Sequence, residues 1–289
     1  MATDGASACD GRLMQPRTRS RRSLTVIFAL LLLGTGVTAV LHPAVVAVDA
    51  LRHDLDNRLR APSRDHVMGT DAFGRDVLAR LVHGSRASLG IALSGMVLSV
   101  VVGTVLGTAS GYAGGLVDLV GQRLVDTFSA FPAMVMALVV VTGVGSSREA
   151  VVIAVVMALA PPIGRVARAR CMEVKQEPYL LAARALGGTH AWIVARHVLP
   201  QVIPTVLVVA TGFVGRALML EAALSFLGLG VSPPTPSLGQ MIQEGARFYL
   251  ETAPWLTIFP GLTLSLVALS FAFVGDAARD ALDPRHRRR

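Results

Sequence analysis

A loop that hydrolyses nucleotide needs the pattern G-x-x-x-x-G-K-[ST], in which a lysine holds the β- and γ-phosphates. The chain has a single lysine, Lys175 in MEVKQE, and no glycine-rich run precedes it. ATP chemistry is therefore not expected in this polypeptide. Cys9 and Cys171 lack a CxxC neighbour, and His66, His83, His190 and His197 lack metal-ligand spacing. No nucleophile–base arrangement stands out. The chain is predicted to have no catalytic residue, no metal ligand and no cofactor of its own. Two charges interrupt an apolar run, Arg216 and Glu221. Charges at membrane depth are functional candidates by default. At i and i+5 the two are poorly placed to pair on one helix. Glu221 has two open readings, a group lining a solute path or an interfacial charge that orients its helix. Asp71, Arg75 and Asp76 in GTDAFGRD predict a charge cluster on a turn, with a structural or subunit-contact role ahead of substrate ligation.

The elements that carry these residues follow from composition. Of 289 residues 53% are hydrophobic and 16% charged, with a mean hydropathy of +0.58. That excess points to a membrane protein rather than a soluble globule. Apolar windows long enough to cross a hydrocarbon core of about 30 Å recur, and they do not alternate as barrel strands do. An all-α protein with six transmembrane helices is expected, with spans at about 24–48, 89–109, 131–144, 150–164, 202–224 and 255–274. The membrane domain then covers 24–278, between a disordered basic tail at 1–23 and a second basic tail at 279–289. The first apolar run is longer than the core of a secretory signal, so it reads as an uncleaved span. Pro161 and Pro162 should bend or end the fourth helix. The run LGLGVSPPTPSLGQMIQEG, with Pro233, Pro234 and Pro236, predicts an irregular loop between the last two spans.

The net charge of +8 does not signal nucleic acid. Arginines gather at the termini and in the 165–200 region, without the aromatic interleaving of a single-strand binder. With both termini in the cytoplasm, 17 Lys and Arg face inward and 9 outward, which fits the positive-inside rule.

The segment 179–200, YLLAARALGGTHAWIVARHVLP, is polar and small-residue-rich between two apolar runs. Tyr179, Ala182 or Ala183, and Leu186 recur at one-face helical spacing. Gly187–Gly188 breaks that helix, and a second piece leads to Leu199–Pro200. The prediction is a short helix–turn–helix on the cytoplasmic membrane surface. Protein docking and a simple amphipathic linker are equally open on this geometry. Arg184 lies either at the rim of such a surface or reaches toward lipid phosphate.

The same run resembles the EAA loop of ABC importer permeases, whose pattern is E-A-A, three residues, G, nine residues, I-x-L-P. Ala182, Ala183, Gly187, Leu199 and Pro200 match; Leu181 stands in place of Glu and His197 in place of Ile. MGTDAFGRDVLARL, GYAGGLVD, AFP, EAALSFLGLGVSPPTPSLGQMI and GDAARDALDP are similar, in order, to the C-type permease subunit of the dipeptide/oligopeptide/nickel family. The resemblance implies a type I ABC importer permease fold in the bacterial inner membrane. It implies a cytoplasmic coupling helix that docks on an ATPase through Tyr179, Ala182, Ala183, Arg184, Leu186, Gly187, Leu199 and Pro200. It further implies a second homologous permease, ABC ATPase subunits or one fused ATPase chain that bind ATP and Mg, an extracytoplasmic solute-binding protein, and surrounding lipid. The implied cargo is a di- or oligopeptide, with a nickel chelate or another small solute as the alternative. An ion-driven secondary transporter is a remote rival, because acids within the spans are nearly absent.

Overall fold

The computed structural model describes residues 53–231 and 234–282. The expected first span, the N-terminal tail, Pro233 and residues 283–289 lie outside them, whereas 279–282, expected as the start of the C-terminal tail, continue the last helix. Helices are numbered over the described residues, among which the only β-pairing is a single bridge between Thr70 and Asp76.

The first helix, α1 (Val77–Ala113), starts where Asp76 accepts a hydrogen bond from the Ala79 amide. It begins well before the expected Leu89, because GRDVLARLVHGSRASL supplies a cap and buried apolar residues at helical spacing. Further along, Gly103, Gly107 and Gly111 recur every four residues and leave one face without side chains. Into that face packs α4 (Arg148–Lys175). A Cβ on Gly103 would stand 2.7 Å from the Ala160 carbonyl oxygen, and one on Gly111 3.0 Å from that of Arg168. The two backbones therefore touch along most of the seam. This packing carries α4 on past Pro161 and Pro162, so the helix does not end where the sequence allowed an end. Two lost amide donors are outweighed by burial of Ala160, Ile163, Gly164 and Ala167 against α1.

Between these helices lie α2 (Gly115–Ser129) and α3 (Ala133–Val144), bent by 90° at the break that contains Pro132. The expected third span was 131–144. Twelve helical residues rise only about 18 Å, too short to cross alone. Among the described residues four helices are each long and apolar enough to cross a membrane, or there are five spans if the α2–α3 pair counts as one.

The polar stretch that follows the expected fourth span, 165–200, is mostly helical. After α4 come α5 (Pro178–Ala185) and α6 (His190–Ile193). A π-helical segment, Val194–Val198, then runs into α7 (Leu199–Phe226). Pro200 sits where the π-helical segment gives way to α7. The proline-containing segment before the last span is half helix. Ser237 caps α8 (Leu238–Phe248), and Leu238, Met241 and Gly245 bury one face. The last helix is α9 (Trp255–Leu282), packed on α7. Met96, Ile163, Val206, Leu218 and Val267 belong to one core shared by α1, α4, α7 and α9. A smaller cluster, Ile91, Val141, Val151 and Leu224, holds α3.

Candidate functional site

The α5–α6 unit is built by its termini. Pro178 opens α5 at a position that needs no amide. At the other end Gly187 has φ +85°, a left-handed conformation that terminates the helix. Its amide donates to the Arg184 carbonyl at 2.9 Å, and the Gly188 amide to that of Ala183 at 3.0 Å. Thr189 then caps α6 by accepting from the Trp192 amide. The helix–turn–helix expected from the sequence is present.

The two faces of α5 differ. Leu180 is fully buried and anchors the helix to the main core. Ala183 and Arg184 are half-buried. Tyr179, Leu181 and Leu186 are 40%, 60% and 89% exposed, and Ala182 and Gly187 are exposed beside them. This apolar face has no covering element among the described residues. Leu181, in the position of the family's glutamate, adds apolar surface to it. Of the predicted site residues, Leu199 is half-buried and Pro200 exposed at the start of α7. The His197 ring meets Trp192 edge-on and Tyr179 at a tilt, with centroid distances of 4.9 Å and 6.0 Å. The Arg184 guanidinium lies 5.6 Å from the ring centre of Tyr112, at the end of α1.

The same end of the molecule is tied by polar contacts that sequence spacing did not reveal. Arg168 grips both oxygens of Asp118 at 2.6 Å, and Ser110 donates to the same carboxylate at 2.5 Å. Lys175 Nζ donates to the Tyr112 carbonyl at 2.6 Å. The lone lysine thus caps the end of α1.

At the opposite end Asp71 accepts from Arg75 and Arg80, each at 2.6 Å, and Arg80 also reaches Glu244 of α8 at 3.0 Å. Asp76 stands apart from that cluster. It caps α1 and pairs with His66 at 2.9 Å. A cavity of about 220 Å³ lies beside the network, lined by Phe73, Arg80, Glu244 and Tyr249 among others. Arg80 and Glu244 were not foreseen because 164 residues separate them.

Glu221 has no exposed surface. Ser225 donates to Oε1 at 2.8 Å, and Oε2 has no well-formed partner. The neighbouring Ser88 of α1 receives the Leu238 amide of α8 at 3.2 Å. The carboxylate therefore sits where α7, α1 and α8 meet and opens onto no cavity in this state. Arg216 lies over the Phe213 ring instead, 4.9 Å from its centre. Among the described residues no three His, Cys, Asp or Glu side chains gather to hold a metal ion.

A family model described as "Binding-protein-dependent transport system inner membrane component" matches residues 103–288. The chain is 34% identical over 265 residues to the dipeptide transport system permease protein DppC of Alkalihalophilus pseudofirmus, covering 92% of this chain and 87% of that one. It is 36% identical over 266 residues to the glutathione transport system permease protein GsiD of Escherichia coli, covering 92% and 88%. Among solved structures, an inward-facing form of the MetNI methionine ABC transporter aligns with a TM-score of 0.57 at 19% identity, over 70% of this chain and 96% of that one.

Proposed function

The chain belongs to the family of binding-protein-dependent transport inner-membrane components, and on that premise we propose that it carries short peptides as half of an ATP-driven import pore. It is a multi-pass membrane permease with the all-helical fold of type I ABC importer permeases. The names of the relatives support a peptide cargo. The proposed assembly pairs it with a second, homologous permease. Exposed apolar side chains such as Val97, Val101 and Val105 of α1, and Leu116, Val120 and Leu124 of α2, suit that partner and lipid. ATPase subunits, as two chains or one fused chain, bind ATP and Mg below. A solute-binding protein docks above. The charge distribution supports both termini, and the α5–α6 unit, on the cytoplasmic side.

The observation that carries this reading is the uncovered apolar face of α5. Tyr179, Leu181, Ala182 and Leu186 stand out from the bundle on a short helix whose inner side is fixed by Leu180. ATP-driven closure of the ATPases would push on that face and rock the spans between inward- and outward-open states, a population shift driven by differential contacts. Leu186→Asp tests it, because a side chain 89% exposed can change without a folding cost. The expected result is loss of ATPase from the purified membrane complex at normal permease yield. Recovery of as much ATPase as with the wild type refutes the docking assignment. Uptake of labelled di- and tripeptides against a nickel chelate decides the cargo.

A further inference from the structure

We propose that Tyr112 is the joint through which movement of the docked α5–α6 unit reaches α1 and α4. The proposal deepens the assignment of α5 as the ATPase-docking helix and rests on it.

Tyr112 lies in the last turn of α1 and is half-buried. Each part of the residue meets a different element. Its hydroxyl is 3.0 Å from His190 Nδ1, the first residue of α6. Its ring faces the Arg184 guanidinium of α5 at 5.6 Å and the Lys175 ammonium of α4 at 5.7 Å. Its carbonyl accepts from the same Lys175. One residue of α1 thus contacts both arms of the helix–turn–helix and the end of α4. The ring gives Lys175 and Arg184 a common electron-rich partner, which offsets their repulsion.

Leverage follows from the flanking geometry. Gly111, the preceding residue, sits on α4 so closely that a Cβ would lie 3.0 Å from the Arg168 carbonyl and 3.3 Å from Cys171 Cβ. The end of α1 cannot shift without α4. By contrast α5 buries one side chain of its own, Leu180. Its covalent tethers are the two residues 176–177 and the turn before α6. Ile193 and Val198 fix α6 to the main core and to α7, so without Tyr112 the motion of the unit would pass to α7 and bypass the end of α1. With Tyr112 in place, displacement of either arm is passed to the glycine-packed α1–α4 pair as one body.

The test uses the assembled complex in lipid nanodiscs, with partner permease, ATPases and the solute-binding protein carrying trialanine. ATP hydrolysis is measured with and without that binding protein and normalised to ATPase recovered. Tyr112→Phe keeps the ring and loses the hydroxyl bond; stimulation should fall about fivefold, the size of one net hydrogen bond. Tyr112→Ala should fall further. His190→Ala should match Tyr112→Phe, and the double variant should be no worse than either single one. A purely local packing role would lower the yield of complex and leave normalised stimulation unchanged, and that result overturns the proposal. Additive effects of the two single changes overturn it as well. A wild-type complex that retains no ATPase, or ignores the loaded binding protein, fails the function assignment instead.

Discussion

Gly187 shows how much the α5–α6 unit depends on a single residue. Gly187 has φ +85° and open space around its Cα, so a side chain there meets strain rather than a clash. Gly187→Ala should cost about 1 kcal/mol of local stability. The expected outcome is faster amide exchange in α5 with the spans unchanged, measured by hydrogen exchange in detergent. Glu221 makes the opposite case. Its carboxylate is sealed among α7, α1 and α8, with Ser225 as donor. If that junction opens during transport to line the solute path, Glu221→Gln should reduce peptide uptake in cells at equal expression. Unchanged uptake leaves the carboxylate a packing group. Both residues were visible in the sequence, Gly187 by its position after a helical face and Glu221 as a charge in an apolar run. The sealed environment of Glu221 was not visible, because Ser88 and Leu238 come from other helices.

At the scale of elements, the α1–α4 seam governs the bundle. Gly103 has no room for a side chain, with the Ala160 carbonyl and Ile163 in the way. Gly103→Leu should force the helices apart and cost about 1–3 kcal/mol, seen as a lower midpoint of thermal aggregation of the detergent-solubilised protein. Gly143 has nothing within reach of an added Cβ. Gly143→Ala should leave that midpoint nearly unchanged, or raise it by less than about 1 kcal/mol through helix propensity. The four-residue glycine repeat was present in the sequence, yet a repeat alone does not name the partner helix. The same limit explains the errors at helix ends. Hydropathy ended spans at the first polar residues, whereas Arg168, Lys175 and Arg80 continue their helices because each has an acceptor on another element.

At the scale of the molecule, the two ends are organised differently. One end carries α5 and α6, which meet α1 at Tyr112 and the main core at Leu180 and Ile193. The other is a fastened cover, in which Arg80 links the 53–76 segment to α8 through Asp71 and Glu244. Arg80→Ala should cost about 3 kcal/mol, because it strands a buried carboxylate that Arg75 alone then compensates. Glu244→Gln, at the half-exposed rim, should cost less than about 1 kcal/mol. Comparing the two thermal midpoints checks the assignment, and equal losses would contradict it.

The sequence by itself determined the membrane class, the helical fold, the family and the short small-residue helix–turn–helix. Each of these rests on local composition, helical periodicity or motifs contiguous in the chain, and such signals survive without knowledge of neighbours. Only the tertiary structure decided that Ala183 and Arg184 turn inward while Leu186 and Leu181 face out. The 90° bend of α2 on α3, the passage of α4 through two prolines, and the meeting of Tyr112 with Lys175, Arg184 and His190 were likewise decided there. Those features depend on which helices pack together, and contacts between residues 63 to 164 positions apart leave no periodic trace in a single sequence.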